Sequence, residues 1–199
     1  MKHEEYFTHR DPKAFPLWQK AVVGIAGAGG LGSNIAMLLA RAGIGTLIIS
    51  DFDVVSIPNL NRQAFTIDQV GQPKVMAVKH NIHQVNPFIN VQANALMLTP
   101  SSVIEKYQDV DIMIEAFDKA DQKIMLIETW LSHFPKKPLI CASGLAGFGR
   151  SQAISQMQYD ELYVIGDQSS ELVPDIAPIS TRVIDRKSTR LNSSHGKLS

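Results

Sequence analysis

Ala21-Val-Val-Gly-Ile-Ala-Gly27-Ala-Gly29-Gly30-Leu31-Gly32-Ser33 is the stretch on which the reading of this chain turns. Its first six residues are short, apolar and rich in β-branching, as a strand buried on both faces should be. The next six fit the pattern G-x-G-x-x-G, and residues 33–42 read as a helix stopped by Gly43 and Gly45. Glycines placed between a strand and a helix are a far more specific signal than the bare pattern. The first permits the tight turn, the second lets a phosphate approach the backbone, and the third lets helix and strand pack closely. The start of the helix then offers free N–H groups and partial positive charge to an anion. Residues 46–50 form a second buried strand, so the opening unit is βαβ.

Outward from this unit the alternation continues. Helices are expected at 73–85, with Pro73 in the first turn, and at 119–134. Strands are expected at 91–96, 111–116 and 139–142. After residues 144–149 the pattern changes to two short segments, 151–158 and 162–165, joined by a turn at 159–161 and read as antiparallel strands. The fold class is therefore α/β: a Rossmann-like, mostly parallel sheet with helices on both faces and late antiparallel strands. Residues 1–20 are polar with scattered aromatics and suit an N-terminal arm or short helix lying on a neighbour. Residues 21–184 make the domain. The stretch 185–199 abandons every periodicity and resembles the translation of a sequencing-library adapter, so the natural chain is expected to continue past Ile184.

Composition narrows the function classes. The chain of 199 residues is long enough for one core, burying roughly 70% of its unfolded surface. Lys+Arg 19 balances Asp+Glu 19, which points away from a nucleic-acid or acidic-membrane partner and requires any phosphate site to be local. The single cysteine, Cys141, lies in an apolar run and reads as a core residue. A lone thiol, no apolar run near the ~20 residues of a membrane span and no signal-peptide pattern give the expectation of a soluble, cytoplasmic protein.

Asp51 ends the second strand, nineteen residues after Gly32, where a carboxylate can accept hydrogen bonds from ribose hydroxyls. Asp53 turns the loop, caps it, or shares that role. To this point NAD and ATP fit equally. The cluster Asn59-Leu-Asn-Arg62-Gln63 separates them, because a dehydrogenase has no need of it and a triphosphate does. Reaction at an α-phosphate requires fixed cations, and Arg62 and Lys74 can supply them. Asp118, at the end of a parallel strand, lies on the ligand-binding edge and can hold Mg²⁺. Singly, each has an ordinary alternative: Arg62 in a surface ion pair, Lys74 on a solvated helix face, Asp118 capping the helix that follows it.

Together, Gly27 to Ser33, Asp51-Phe-Asp53, Asn59-Leu-Asn-Arg-Gln63, Gln72-Pro-Lys74 and Phe117-Asp118 closely resemble the ThiF/MoeB/ubiquitin-activating-enzyme superfamily over residues 20–183, nearest to its short ThiF-like members. That resemblance implies that Asp51 holds ribose, that Asn59, Arg62, Gln63 and Lys74 surround the phosphates, and that Asp118 binds Mg²⁺. It implies ATP-dependent adenylation of the C-terminal glycine carboxylate of a small ubiquitin-fold sulfur carrier of the ThiS type, in thiamine thiazole biosynthesis, by a homodimer. The zinc-binding CxxC pairs of longer members are missing, and no cysteine follows Cys141 to form a covalent link with a carrier. Arg10 is a candidate by position for an arginine that some members donate across a dimer.

Three other readings stay open on the sequence. A tRNA-modifying dehydratase of the same superfamily should show a basic surface for tRNA. An NAD-dependent oxidoreductase is permitted by the glycines and Asp51 but lacks an evident proton donor or acceptor, since His80 and His83 read as solvated and His133 sits near a helix end. A non-enzymatic carrier-binding protein would retain the fold alone.

Overall fold

The computed structural model describes residues 3–144 and 151–169. The chain divides into two compact units, Met1–Leu139 and Ile140–Ser199. The tail at 185–199, the segment 171–183 and most of the glycine-rich stretch 144–149 lie outside the described residues.

In the first unit, β1 (Val22–Ala26), β2 (Thr46–Ser50), β3 (Asn90–Asn94) and β4 (Ile112–Glu115) pair in parallel in the order β3-β2-β1-β4. The register sets Ala26 beside Ser50 and Glu115, so the strands' C-terminal ends lie level. The connections are α3 (Gly32–Ala42), α4 (Lys74–Val85) and α5 (Pro100–Tyr107), and α6 (Ala120–His133) follows β4. From β1 to β2 to β3 the chain steps one way across the sheet, then returns past β1 to β4. With right-handed crossovers, α3 and α4 must lie on one face and α5 and α6 on the other. The packing agrees: α3 lies against α4, and α5 against α6. The direction reverses between β1 and β4, which opens the crevice where such sheets bind ligands.

The core follows from the apolar strands. Ile25, Leu47, Ile49 and Met113 are fully buried, covered by Ala36 and Ala40 of α3, Val78 and Ile82 of α4, and Leu126 and Trp130 of α6. Buried polar atoms are tied in: the Tyr107 hydroxyl, its ionisation pushed up by burial, lies 2.6 Å from Ser50 Oγ and 3.2 Å from the Ile25 carbonyl. At the bottom of the sheet the Asp111 carboxylate accepts the Val22 N–H at 2.8 Å.

The expected helices and strands are present with shifts at their ends. Pro73 stands just outside α4 as its N-cap, with ψ 129, because it is held extended in an antiparallel bridge with Val54, flanked by the Val55 N–H to Gln72 carbonyl and Lys74 N–H to Asp53 carbonyl bonds. The strand expected to reach 96 stops at Asn94. One helix was not anticipated: α5, which starts at Thr99-Pro100 with the Thr99 hydroxyl accepting the Ser102 N–H.

The arm at 1–20 contains α1 (His3–Tyr6) and α2 (Phe15–Lys20) and packs on its own chain. Phe7 and Phe15 lie 4.6 Å apart by ring centroid, His3 and Phe88 5.1 Å, and the Tyr6 hydroxyl donates to the Val85 carbonyl. Arg10 donates to the Arg41 carbonyl at 2.9 Å, satisfying the end of α3 in cis.

The second unit contains most of β5 (Leu139–Ala142) and the antiparallel pair β6 (Ser155–Tyr159) and β7 (Leu162–Gly166), turned at Asp160 with φ 51. The late antiparallel strands are as expected, except that the first begins at Ser155 after a short 3-10 turn. Cys141 is buried, in keeping with a core role.

Candidate functional site

Every residue singled out for the site lies in the first unit, at the C-terminal end of its sheet. The turn from β1 into α3 is set by two contacts. Gly27 has φ +98, and a Cβ there would stand 2.7 Å from the Ala116 carbonyl oxygen. A Cβ on Gly32 would stand 1.8 Å from the Gly27 carbonyl oxygen, so no larger residue fits where α3 meets the strand end. At Gly29 the nearest atom to an added Cβ is Gln63 Nε2, at 3.9 Å. Space above Gly29 and Gly30 is thus bounded by Gln63 on one side and by the Arg62 side chain, 3.4 Å from the equivalent point on Gly30, on the other. Leu31 is the N-cap of α3 and makes no side-chain cap, and the Ser33 N–H in the first turn is taken by the Gly29 carbonyl at 3.1 Å.

Asp51 reaches into the turn from the end of β2. One carboxylate oxygen accepts the Ala28 N–H at 2.6 Å and the other the Asp53 N–H at 2.8 Å. Burial raises its pKa above the ordinary carboxylate value and makes it a weaker acid, opposed by those two N–H groups and by the charge of Lys74. Asp53 both turns the loop and pairs with Lys74, whose ammonium lies 2.7 Å from its carboxylate. The Lys74 N–H also donates to the Asp53 carbonyl at 2.9 Å. Lys74 is 6% exposed, so the alternative of a solvated helix face does not hold.

The segment 59–63 is a 3-10 turn, Ile57–Asn61, followed by an irregular step at Arg62. Asn59 spends its carboxamide oxygen on the Ser56 N–H at 3.0 Å, which shapes the turn. Arg62 donates to the Asn61 side chain at 3.0 Å and to the Pro58 carbonyl at 3.3 Å, and makes no ion pair among the described residues. Partial burial lowers the basicity of its guanidinium and the charge of Asp118 raises it. Its ordinary value is so high that it remains a cation. Asn34 of α3 donates to the Arg62 carbonyl at 2.8 Å and fastens this loop to the helix.

Gln63 is buried, and its Oε1 is the only buried side-chain nitrogen or oxygen among the described residues without a hydrogen-bond partner. Such a group costs about 1–3 kcal/mol. It lies beside Gly29, at the mouth of α3.

Asp118 is exposed beyond the end of β4. It is not the cap of α6: Lys119 holds that position and no side chain caps the helix. The structure therefore brings Gly29, Gly30, Arg62, Gln63 and Asp118 to one place, with Asp51, Asp53 and Lys74 linked as a chain along its edge. The histidines stand elsewhere: His83 is partly buried against the Ile89 carbonyl at 3.3 Å, where solvation was expected, and His133 bonds the Thr129 carbonyl at 3.0 Å.

One residue escaped sequence reading. Glu115, the last residue of β4, has a fully buried side chain that accepts the Phe117 N–H at 2.7 Å and pairs with Lys123 of α6. The signal was present, since an acid closing an otherwise apolar strand has to find a partner.

Taken together, the sheet order, the reversal between β1 and β4 and the glycine turn define a Rossmann-type α/β protein. The sequence profile of the ThiF family matches residues 15–177, well over half of the chain, and the chain belongs to that family. It is 38% identical over 101 residues to the probable adenylyltransferase/sulfurtransferase MoeZ of Mycobacterium tuberculosis, covering 50% of this chain and 26% of that protein. It is 34% identical over 122 residues to the molybdopterin-synthase adenylyltransferase of Haemophilus influenzae, covering 61% of this chain and 49% of that one. The chain thus spans between a quarter and a half of the length of these relatives. The crystal structure of the Escherichia coli tRNA N6-threonylcarbamoyladenosine dehydratase TcdA in complex with AMP has the same fold, with a TM-score of 0.79, 22% identity and coverage of 97% of this chain and 95% of that one.

Proposed function

We propose that this chain binds ATP over the Gly27–Gly32 turn and adenylates the C-terminal glycine carboxylate of a small ubiquitin-fold sulfur carrier. The observation that carries the reading is the placing of the Arg62 side chain, which makes no ion pair among the described residues, and of the Gln63 Nε2 amide over Gly29 and Gly30 at the start of α3, with Lys74 held at the edge by Asp53. A dinucleotide has no use for that many fixed donors beyond its ribose carboxylate, and a triphosphate has. In this reading Asp51 accepts from ribose, with Asp53 holding both it and Lys74 in place. The N–H groups at Gly29 and Gly30, with Arg62, Gln63 and Lys74, receive the phosphates, and Asn59 supports Arg62 from beneath. Asp118 supplies one oxygen to Mg²⁺, a cation that usually takes one or two carboxylates and fills its remaining positions with phosphate and water.

The reaction needs no covalent bond to the protein. A carboxylate oxygen attacks the α-phosphorus, the bond to the bridging oxygen of the β-phosphate breaks, and pyrophosphate leaves with the charge. The chain's part is to hold the groups in line and to neutralise the charge that moves onto the leaving group. Buried Cys141 takes no part in this step. A sulfur carrier protein adenylyltransferase of Thermus thermophilus, 33% identical over 101 residues, supports the carrier as substrate. A ThiS-type carrier for thiamine thiazole synthesis and a homodimeric assembly complete the proposal. No helix among the described residues is long and apolar enough to cross a membrane.

A second reading, activation of a carboxyl group on a tRNA nucleoside, is favoured by the fold likeness to TcdA over almost the whole chain. The net charge of +0 offers tRNA little attraction, which places it second. ATP–pyrophosphate exchange with Mg²⁺ separates the two. Exchange that depends on a glycine-terminated carrier and disappears in Arg62→Ala and Asp118→Ala is the expected result; exchange that depends on tRNA would select the second reading.

A further inference from the structure

A charge pair, Glu115 with Lys123, closes β4 three residues before Asp118. The side chain of Glu115 is 0% exposed and pairs with Lys123, 27% exposed, in the first turns of α6. Replacing such a pair by apolar residues of similar volume is commonly neutral or stabilising, because two charges lose their water on burial. The fold alone therefore gives no reason to keep it. The second oxygen of Glu115 accepts the N–H of Phe117, two residues on, at 2.7 Å, and the N–H of Ala116 donates to the Ala26 carbonyl at 2.8 Å. These two bonds fix the chain on consecutive residues just where it leaves the sheet. Asp118 is the next residue, exposed beyond the strand, and its charge acts on Arg62.

We infer that Glu115, held by Lys123, is a positioning residue that sets the turn at 115–118 and so aims Asp118 at the divalent cation of the nucleotide. The inference rests on the reading of Asp118 as the cation's ligand. Its consequence is specific: loss of the Glu115 acceptor weakens the metal-dependent part of nucleotide binding and spares the rest. Residues that orient a metal ligand commonly account for 10–100-fold in metal affinity.

Two double variants isolate the bond. Glu115→Met with Lys123→Met removes the charges and the acceptor; Glu115→Gln with Lys123→Met removes the charges and leaves a carboxamide oxygen for the Phe117 N–H. Titration calorimetry with ATP, in Mg²⁺ and again in EDTA, gives for each protein the factor by which the metal tightens binding. We expect the Gln variant to keep that factor within about twofold of the unaltered chain and the Met variant to lose about tenfold, both binding ATP equally in EDTA. Thermal melts report any purely structural loss, which both variants share. Equal factors in the two variants and the unaltered chain would overturn the inference. An Asp118→Ala control that keeps the full factor would instead overturn the reading of Asp118 on which it rests. If the Met variant does not fold, Glu115→Asp, whose carboxylate is one methylene short of the Phe117 N–H, takes its place with the same expected loss, and an unchanged factor there would overturn the inference.

Discussion

Gln63 holds a carboxamide oxygen out of water with nothing to bond, and at the residue scale that is the clearest sign of a binding role. A side chain retained at a cost to folding is expected to repay it in the bound state. Gln63→Met, unbranched and of similar size, should raise the unfolding free energy by about 1 kcal/mol in a denaturant melt and weaken ATP binding about tenfold. Movement of both quantities in the same direction would mean the amide serves the fold. Asp51 gives a second test. Its pKa is raised, chiefly by burial. A raised carboxyl contributes stability that is fully present below its unfolded value, about pH 4, and is lost as pH rises through the folded value. Binding runs the other way, because only the carboxylate accepts from two ribose hydroxyls. Nucleoside affinity should fall as pH drops through that raised value, starting above the range of an ordinary aspartate, and Asp51→Asn should flatten the profile. An unchanged profile in the variant would remove Asp51 from the ribose site.

At the scale of elements, the strand–turn–helix unit separates packing from binding. A methyl group on Gly32 meets the Gly27 carbonyl, whereas one on Gly29 enters open space. Gly32→Ala should therefore cost about 2 kcal/mol or more of stability, and Gly29→Ala should leave the melt unchanged while weakening nucleotide binding. If Gly29→Ala destabilised the fold and left binding alone, the turn would be structural only. This unit was legible because its periodicity and glycines agree at every position, and the same holds for α4 and α6. The short helix α5 was not, because Pro100-Ser-Ser reads as a loop until the crossover from β3 to parallel β4 demands something to carry it. The cap Thr99 and the proline after it were the available signal. In the site, the types and order of the residues were legible, but their engagements were not. The pairing of Asp53 with Lys74 depends on the loop after β2 folding back on the start of α4, and that of Glu115 with Lys123 on how α6 turns back over the end of β4, neither of which local spacing carries.

On the scale of the whole molecule, membership in the ThiF family joins a fold that positions strand ends to a loop that supplies cations. The chain is neutral in total, and at this end of the sheet the two cations stand beside acids, Lys74 paired with Asp53 and Arg62 within the field of Asp118. The central claim is that the crevice between β1 and β4 takes a triphosphate and not a dinucleotide. Titration calorimetry of the chain with ATP and with NAD⁺, repeated on Arg62→Ala, tests it most directly. The account predicts that ATP binds, that NAD⁺ does not compete, and that Arg62→Ala costs at least about tenfold, the worth of a hydrogen bond to a charged group. Preference for NAD⁺, or ATP affinity untouched by the loss of Arg62, would contradict it.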